Sequence, residues 1–117
     1  LSDTIIETIE RGQKDTAVEY NDALSKIDVA NSYFNQFFYD YDAILTPSAV
    51  GEAPKGLTST GNPIFSTIWT YCGMPCISLP LLSGRNGLPI GVQLVSSLFD
   101  DERLFRNASW LTKKIKK

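Results

Sequence analysis

The stretch WTYCGMPCISLP, residues 69–80, joins a predicted helix to a predicted strand. Gly73 is the residue type that ends helices, and the run CISLPLL that follows it is short, apolar and typical of a buried strand. Three residues separate Cys72 from Cys76 in a chain without histidine, a pattern that fits neither a thiol redox motif nor a zinc site. We therefore interpret both cysteines as small apolar residues at a helix–strand corner, and the stretch as scaffold.

The composition is that of one globular domain. The chain has 117 residues, of which 43% are hydrophobic and 21% charged. Its apolar runs are too short to span a bilayer, and its first residues lack the basic segment of a signal peptide. Two cysteines without such a signal predict reduced thiols and a cytoplasmic location. Because the sequence begins with Leu1 rather than Met, we expect a processed end or a point inside a longer polypeptide.

Charge is uneven along the chain although the net charge is only −2. Residues 1–50 carry three basic and nine acidic side chains, whereas residues 51–117 carry eight basic and four acidic ones. Four of those eight are the lysines of KKIKK, residues 113–117. Cations at a helix C-terminus complement the helix dipole, so we interpret the tail as a helix end and predict neither a nucleic-acid nor a membrane partner.

Hydrophobic periodicity predicts an α/β fold in which helices cover a small mixed sheet. We expect the apolar strands around Ile44 and Ile77 to be buried on both faces, and Ile5, Ile6 and Ile9 to face inward. Three strands make a thin sheet, so either more chain or another copy should complete it. The predicted order is helices at 3–11 and 15–39, a strand at 43–45, a Gly/Pro-rich loop at 48–63, a helix at 63–72, strands at 76–82 and 88–96 joined by an Asn86-Gly87 hairpin, and a helix capped by Asp100.

The residues offer no self-contained catalytic set. The absence of histidine removes Ser-His-Asp and Cys-His pairs, and we predict no metal and no cofactor. We interpret the carboxylates of Asp40, Asp42 and Glu52 as solvated surface groups. A Ser–Lys pair formed by Lys55 with Ser48 or Ser59 stays open as an alternative, although no sequence pattern supports it.

Four stretches in order give the chain a family resemblance: YDAILTP (41–47), WTYCGMPCISLP (69–80), GLPIGVQLVS (87–96) and FDDERLF (99–105) followed by Ala108. Over residues 40–111 their order and spacing resemble the C-terminal part of the amidase signature family of hydrolases. The resemblance implies that residues 1–117 are one domain and form part of that family's α/β/α sandwich.

The resemblance also implies hydrolysis of amides by a Ser–cis-Ser–Lys triad without metal or cofactor. The family's Gly/Ser-rich signature and lysine lie earlier in its chain and have no match here, so no catalytic residue is carried over. Residues 46–72 would instead form a pocket wall, with Trp69 and Thr70 as packing positions. The aminoacyl-tRNA amidotransferase branch has Asp at the position of Pro63 and Asn at that of Thr70, which favours a general amidase of apolar or aromatic amides. The residues expected to line the pocket are Pro63, Thr67, Ile68 and Tyr71.

Two functions therefore remain open. In the first, the chain is the C-terminal segment of an amidase, inactive alone, with the remainder of the amidase chain as its partner and a small amide as substrate. In the second, it is a free-standing, non-catalytic domain that self-associates or binds a partner on the same scaffold. Uncovered apolar faces and unpaired strand edges would support either function.

Overall fold

The structure, a computed structural model, describes residues 2–115. Lys116 and Lys117, which belong to the predicted basic tail, lie outside the described residues. Among those described, no helix combines the length and apolar character needed to cross a membrane. The elements are helices α1 (Asp3–Gly12), α2 (Ala17–Asp40), α3 (Thr67–Cys72) and α4 (Asp101–Ile115), and strands β1 (Ile44–Pro47), β2 (Cys76–Ser83) and β3 (Pro89–Val95).

The three strands form one sheet in the order β1-β3-β2. Both pairings with the central strand are antiparallel, so Ile44 and Cys76 both lie opposite Val95. The predicted α/β class is confirmed. The predicted mixed sheet, however, is antiparallel in both of the pairings seen in residues 2–115.

Helices pack on both faces of β3, because successive strand residues point to opposite faces. On one face, Val95 packs with Phe38 of α2, Trp69 and Cys72 of α3, and Met74. On the other face, Leu94 packs with Leu104 and Ala108 of α4. The described residues therefore form helix, sheet and helix layers.

The edge strands are not buried on both faces, so that prediction is wrong. Leu45 of β1 is 60% exposed, and burial along β2 alternates between exposed and half-buried positions. The helices cover mainly the central strand, so each edge strand keeps an open side. α1 is also exposed throughout: Ile5, Ile6 and Ile9 face outward, against prediction, and the helix has no buried residue.

The start of α2 is set by a capping box. The Thr16 side chain accepts a hydrogen bond from the Glu19 N–H at 3.2 Å, while the Glu19 carboxylate accepts one from the Thr16 N–H at 2.8 Å. These bonds satisfy donors that the first turn of a helix otherwise leaves unpaired. The hydrogen bond from the Thr16 backbone, followed by that from its hydroxyl, lowers the pKa of Glu19.

We predict that Thr16→Ala lowers the free energy of opening of the first turns of α2 by about 1 kcal/mol, which is roughly a fivefold loss of hydrogen-exchange protection. Thr8→Ala serves as the control, since the exposed Thr8 hydroxyl only donates to the Thr4 carbonyl within α1. Because the pKa of Glu19 is lower in the folded chain than in the unfolded chain, the ionised carboxylate stabilises the first turn of α2 at any pH above the unfolded pKa. This stabilisation is lost as pH falls through the folded pKa. Equal protection in both variants would contradict the capping assignment.

Candidate functional site

The Gly/Pro-rich segment that follows β1 is tied back to the sheet. The N–H of Ser48 donates to the Gly91 carbonyl at 2.9 Å. Further on, the Glu52 carboxylate accepts from the Asn86 N–H at 2.8 Å and from the Asn86 side-chain amide at 2.7 Å. Glu52 is therefore half-buried and bonded to the hairpin, where the sequence predicted a solvated group.

Helix α3 begins at Thr67 and not at the predicted Pro63. Residues 63–66 form a turn in which the Pro63 carbonyl accepts from the N–H of Ser66 at 2.8 Å and from the N–H of Thr67 at 3.2 Å. The Phe65 carbonyl accepts a hydrogen bond from the Gln93 side chain of β3. Because of this bond and the turn, the helix begins four residues later than predicted, at Thr67. Its predicted end at Gly73 is confirmed, since Gly73 adopts the left-handed conformation with φ 68°.

The four residues predicted to line a pocket are all exposed, and we call them together the α3 surface (Pro63, Thr67, Ile68 and Tyr71). Pro63 lies before the helix, where its carbonyl accepts a hydrogen bond from the Thr67 hydroxyl at 3.1 Å. Thr67, Ile68 and Tyr71 lie on one side of α3, opposite the buried Trp69 and Cys72. Their spacing places them within about a third of a helical turn. The Tyr71 hydroxyl donates to the Ala23 carbonyl of α2, so this ring also bridges the two helices.

Two motif positions next to this surface behave differently. Trp69 is buried in the core beside Phe34, with 5.3 Å between the ring centroids, which confirms its predicted packing role. Thr70 is exposed, so the same prediction is wrong for Thr70.

Gln93 is a buried amide behind the α3 surface. In the sequence it lies within the stretch GLPIGVQLVS, which predicts no role for it. Gln93 is 5% exposed, and its Nε2 donates to the Phe65 carbonyl at 3.1 Å and to the Thr46 hydroxyl at 3.3 Å. Its Oε1 accepts from the Ser66 hydroxyl at 3.4 Å. A polar residue inside the apolar run VQLV was the available signal, since a buried amide requires partners.

A second buried amide reaches the other end of α3. Asn31 of α2 is 9% exposed, and its Nδ2 donates to the Cys72 carbonyl at 3.1 Å. Helical spacing places Asn31 on the apolar stripe of its helix. Its burial follows from this position near the end of α2 that packs on the core, but the hydrogen bond is visible only in the structure.

The Ser–Lys alternative finds no support in the geometry. The Ser48 hydroxyl is hydrogen-bonded to that of Ser78 at 2.7 Å, and the Ser59 hydroxyl accepts from the Gly61 N–H at 3.1 Å. Within residues 2–115, Lys55 forms neither a side-chain hydrogen bond nor an ion pair.

The cysteines offer no activated nucleophile. Burial raises the pKa of the Cys72 thiol, and partial desolvation of a sulfur that lies against the Met74 carbonyl raises the pKa of the Cys76 thiol, although Cys76 as a residue is exposed. Both shifts disfavour the reactive thiolate. Cys72 is buried as predicted, whereas Cys76 is exposed at the start of the edge strand β2, so the prediction of two core cysteines holds for one of them. In the described part of the chain, no group of three or more His, Cys, Asp or Glu side chains could hold a metal ion.

This arrangement of layers is found in solved amidases. A crystal structure described as an amidase superposes with a TM-score of 0.79 at 21% identity, covering 97% of this chain and 29% of that one. A 6-aminohexanoate cyclic dimer hydrolase superposes with a TM-score of 0.71 at 18% identity, covering 98% of this chain and 29% of that one. At these identities the likeness shows the fold alone.

The sequence comparison defines the family. The sequence model described as Amidase matches residues 2–105. One relative, from the mitochondrial glutamyl-tRNA(Gln) amidotransferase of Homo sapiens, is 31% identical over 96 residues, which are 74% of this chain and 18% of that protein. Another, from the glutamyl-tRNA(Gln) amidotransferase of Agathobacter rectalis, is 40% identical over 82 residues, 64% of this chain and 16% of that protein. The chain belongs to the amidase family, and it spans less than a fifth of the length of these relatives.

We predict that Gly91→Ala lowers the free energy of unfolding by about 1–3 kcal/mol, because the added Cβ would overpack the sheet at this point. A Cβ at Gly91 would lie 2.5 Å from the Ser78 hydroxyl oxygen and 2.9 Å from the Ser48 Cβ. Gly51→Ala is the control, because nothing lies within 4 Å of its Cβ position. Urea denaturation measures both, and equal midpoints would contradict the close packing at this position.

Proposed function

We propose that this chain is the C-terminal segment of an amidase that hydrolyses the carbon–nitrogen bond of amides, and that it is inactive without the catalytic part. One serine would attack the amide carbonyl, and its proton would pass through the second serine to the lysine. The lysine would return the proton through the second serine to the nitrogen of the departing amine, and water would then hydrolyse the acyl-serine to the acid and the free serine. The observation that carries the proposal is an exposed α3 surface, held on an amidase scaffold that lacks a nucleophile–base pair in its described residues.

The α3 surface supports small apolar or aromatic amides as substrates. Ile68 and Tyr71 offer apolar area. Thr67 offers the oxygen of a hydroxyl whose hydrogen is donated to the Pro63 carbonyl at 3.1 Å. Pro63 and Thr70 stand where the tRNA amidotransferase branch has Asp and Asn, so we propose amide hydrolysis without a nucleic-acid partner, although the relatives named above belong to such amidotransferases. The two free thiols support a cytoplasmic location.

A groove beside β1 supports the need for a partner and also favours the second candidate, a self-associating or partner-binding domain. The groove has a volume of about 460 Å³, and β1 is an edge strand of the sheet. Leu45 and Trp110, each 60% exposed, are among its apolar lining. In the first candidate the remainder of the amidase chain covers this groove, and in the second a copy of this chain does.

The two candidate functions predict different forms of the protein in cells: part of a larger amidase in the first, and a free-standing 117-residue chain in the second. An antibody raised against residues 1–117 should detect, in the organism that makes the protein, a polypeptide or complex several times the mass of this chain, which releases ammonia from benzamide. A stable homo-oligomer of the 117-residue chain without amide turnover would overturn the first candidate and support the second.

The isolated chain provides a complementary test. We predict that the purified chain releases no ammonia from benzamide, phenylalaninamide or glutamine above the uncatalysed rate. The reason is that Ser48 is paired with Ser78 and Lys55 has no partner among residues 2–115. Turnover abolished by Lys55→Ala would contradict this prediction and would place a Ser–Lys hydrolase within the chain.

In the assembled amidase, we predict that Ile68→Ala raises the KM for benzamide roughly tenfold, because a hydrophobic pocket loses contact with its substrate. Val18→Ala, at a 78% exposed position of α2, is the matched control. Steady-state kinetics of the two variants measure the difference. An unchanged KM in Ile68→Ala would remove Ile68 from the pocket wall.

A further inference from the structure

Helix α3 is too short to hold its own position. It has six residues, and isolated helices of this length do not persist in water. Its buried side contributes Trp69 and Cys72 to the core, which is a small apolar anchor for a helix whose other side is exposed. The position of the α3 surface must therefore be set by contacts from neighbouring elements.

Gln93 supplies such a contact at the start of the helix. It lies on the central strand, opposite Thr46 on one edge strand and Ser78 on the other. Both hydrogens of its amide are used, one on the Phe65 carbonyl and one on the Thr46 hydroxyl, and its oxygen accepts from Ser66. An amide with one oxygen and two N–H donors can bind these three partners at once, whereas a hydrocarbon or a carboxylate cannot.

Asn31 supplies the matching contact at the end of the helix, through the Cys72 carbonyl. The last carbonyls of a helix have no partner within it, so this bond fixes a group that would otherwise need water. Gln93 and Asn31 are two of the three buried polar residues of the described chain. Both use their amide to bind a backbone carbonyl, Gln93 that of Phe65, two residues before the helix, and Asn31 that of Cys72, the last residue of the helix.

We propose that Gln93 is a positioning residue that sets α3 against the sheet, with Asn31 securing its far end, and that the orientation of the amide-binding wall depends on this pair. The role in substrate binding rests on the function proposed above. The positioning of α3 by Gln93 and Asn31 does not rest on that function, since it concerns contacts within this chain.

Gln93→Glu tests the role with little change of shape. Once ionised, the introduced carboxylate has no hydrogen to donate to the Phe65 carbonyl, whereas the protonated acid, which burial at this position favours, keeps one donor. The groups that face this position are the Thr46, Ser66 and Ser78 hydroxyls and the Phe65 carbonyl, none of which titrates in the range of a carboxyl. A pH response therefore reports on the introduced carboxyl.

The readout is the hydrogen-exchange protection of the amides of residues 70–72, which begin with the bond from the Thr70 N–H to the Ser66 carbonyl. We expect at least a tenfold loss of protection in α3 at a pH above the pKa of the introduced carboxyl, with the amides of β3 and α4 changing much less, and recovery of α3 protection as pH falls below it. Ser78→Ala, which alters the residue opposite Gln93 without touching α3, should leave α3 unchanged.

Unchanged protection of α3, or an equal loss in α3, β3 and α4 that acid does not reverse, would overturn the proposal. If Gln93→Glu does not fold, Gln93→Asn replaces it: the amide is kept but is one methylene too short to reach the Phe65 carbonyl. A stable sheet with a rapidly exchanging α3 would then support the proposal, and a protected α3 would overturn it.

Kinetics separate this inference from the proposed function. In the assembled amidase, Gln93→Glu should raise the KM for benzamide more than it lowers kcat, and acidification should reverse the change relative to the wild type. Absence of amide turnover in the wild-type assembly would defeat the proposed function while leaving the exchange result intact. Normal turnover with an unaltered KM in Gln93→Glu would defeat the positioning role alone.

Discussion

The hydrogen bond from the Gln93 side-chain amide to the Phe65 carbonyl is the contact on which the arrangement of the site depends. The central strand is the only strand of the described sheet with a partner on both sides, and Gln93 projects from it toward the segment that enters α3. Leaving an amide buried without partners would cost stability, so the buried Gln93 favours the arrangement in which the segment entering α3 lies against the sheet. A helix of six residues thereby acquires a defined place that its own backbone could not give it.

The scaffold and the chemistry are divided between different parts of the proposed amidase. The described residues provide apolar layers on both faces of β3 and an exposed wall on α3, whereas the nucleophile and base are proposed to come from elsewhere. Exposed apolar side chains such as Leu45 and Trp110 fit this division, because an edge strand and an uncovered groove leave surface to be buried by further protein. The family membership agrees with that division, since the curated relatives are several times longer.

Local signals in the sequence predicted the elements well, and long-range contacts account for what they missed. Gly73 ends α3 and Asp100 caps α4, accepting a hydrogen bond from the Arg103 N–H at 3.3 Å, because both signals act within one turn of the chain. The start of α3 was missed because the side chain that binds the Phe65 carbonyl lies 28 residues away on β3. The outward-facing isoleucines of α1 show a further limit: periodicity identifies an apolar side, but not whether this chain covers it. For the site, the family motifs predicted the residues of the α3 surface. The positioning role of Gln93 and Asn31 could be inferred only from the hydrogen-bond partners that the structure shows.

The most direct measurement is the scalar coupling across the hydrogen bond between the Gln93 side-chain nitrogen and the Phe65 carbonyl carbon, observed by NMR in the isotope-labelled chain. We predict a resolved coupling, together with Gln93 side-chain amide protons that exchange with water far more slowly than those of the exposed Gln13. No coupling, with Gln93 amide protons exchanging as fast as those of Gln13, would mean that Gln93 does not bind the segment entering α3 and would contradict its positioning role.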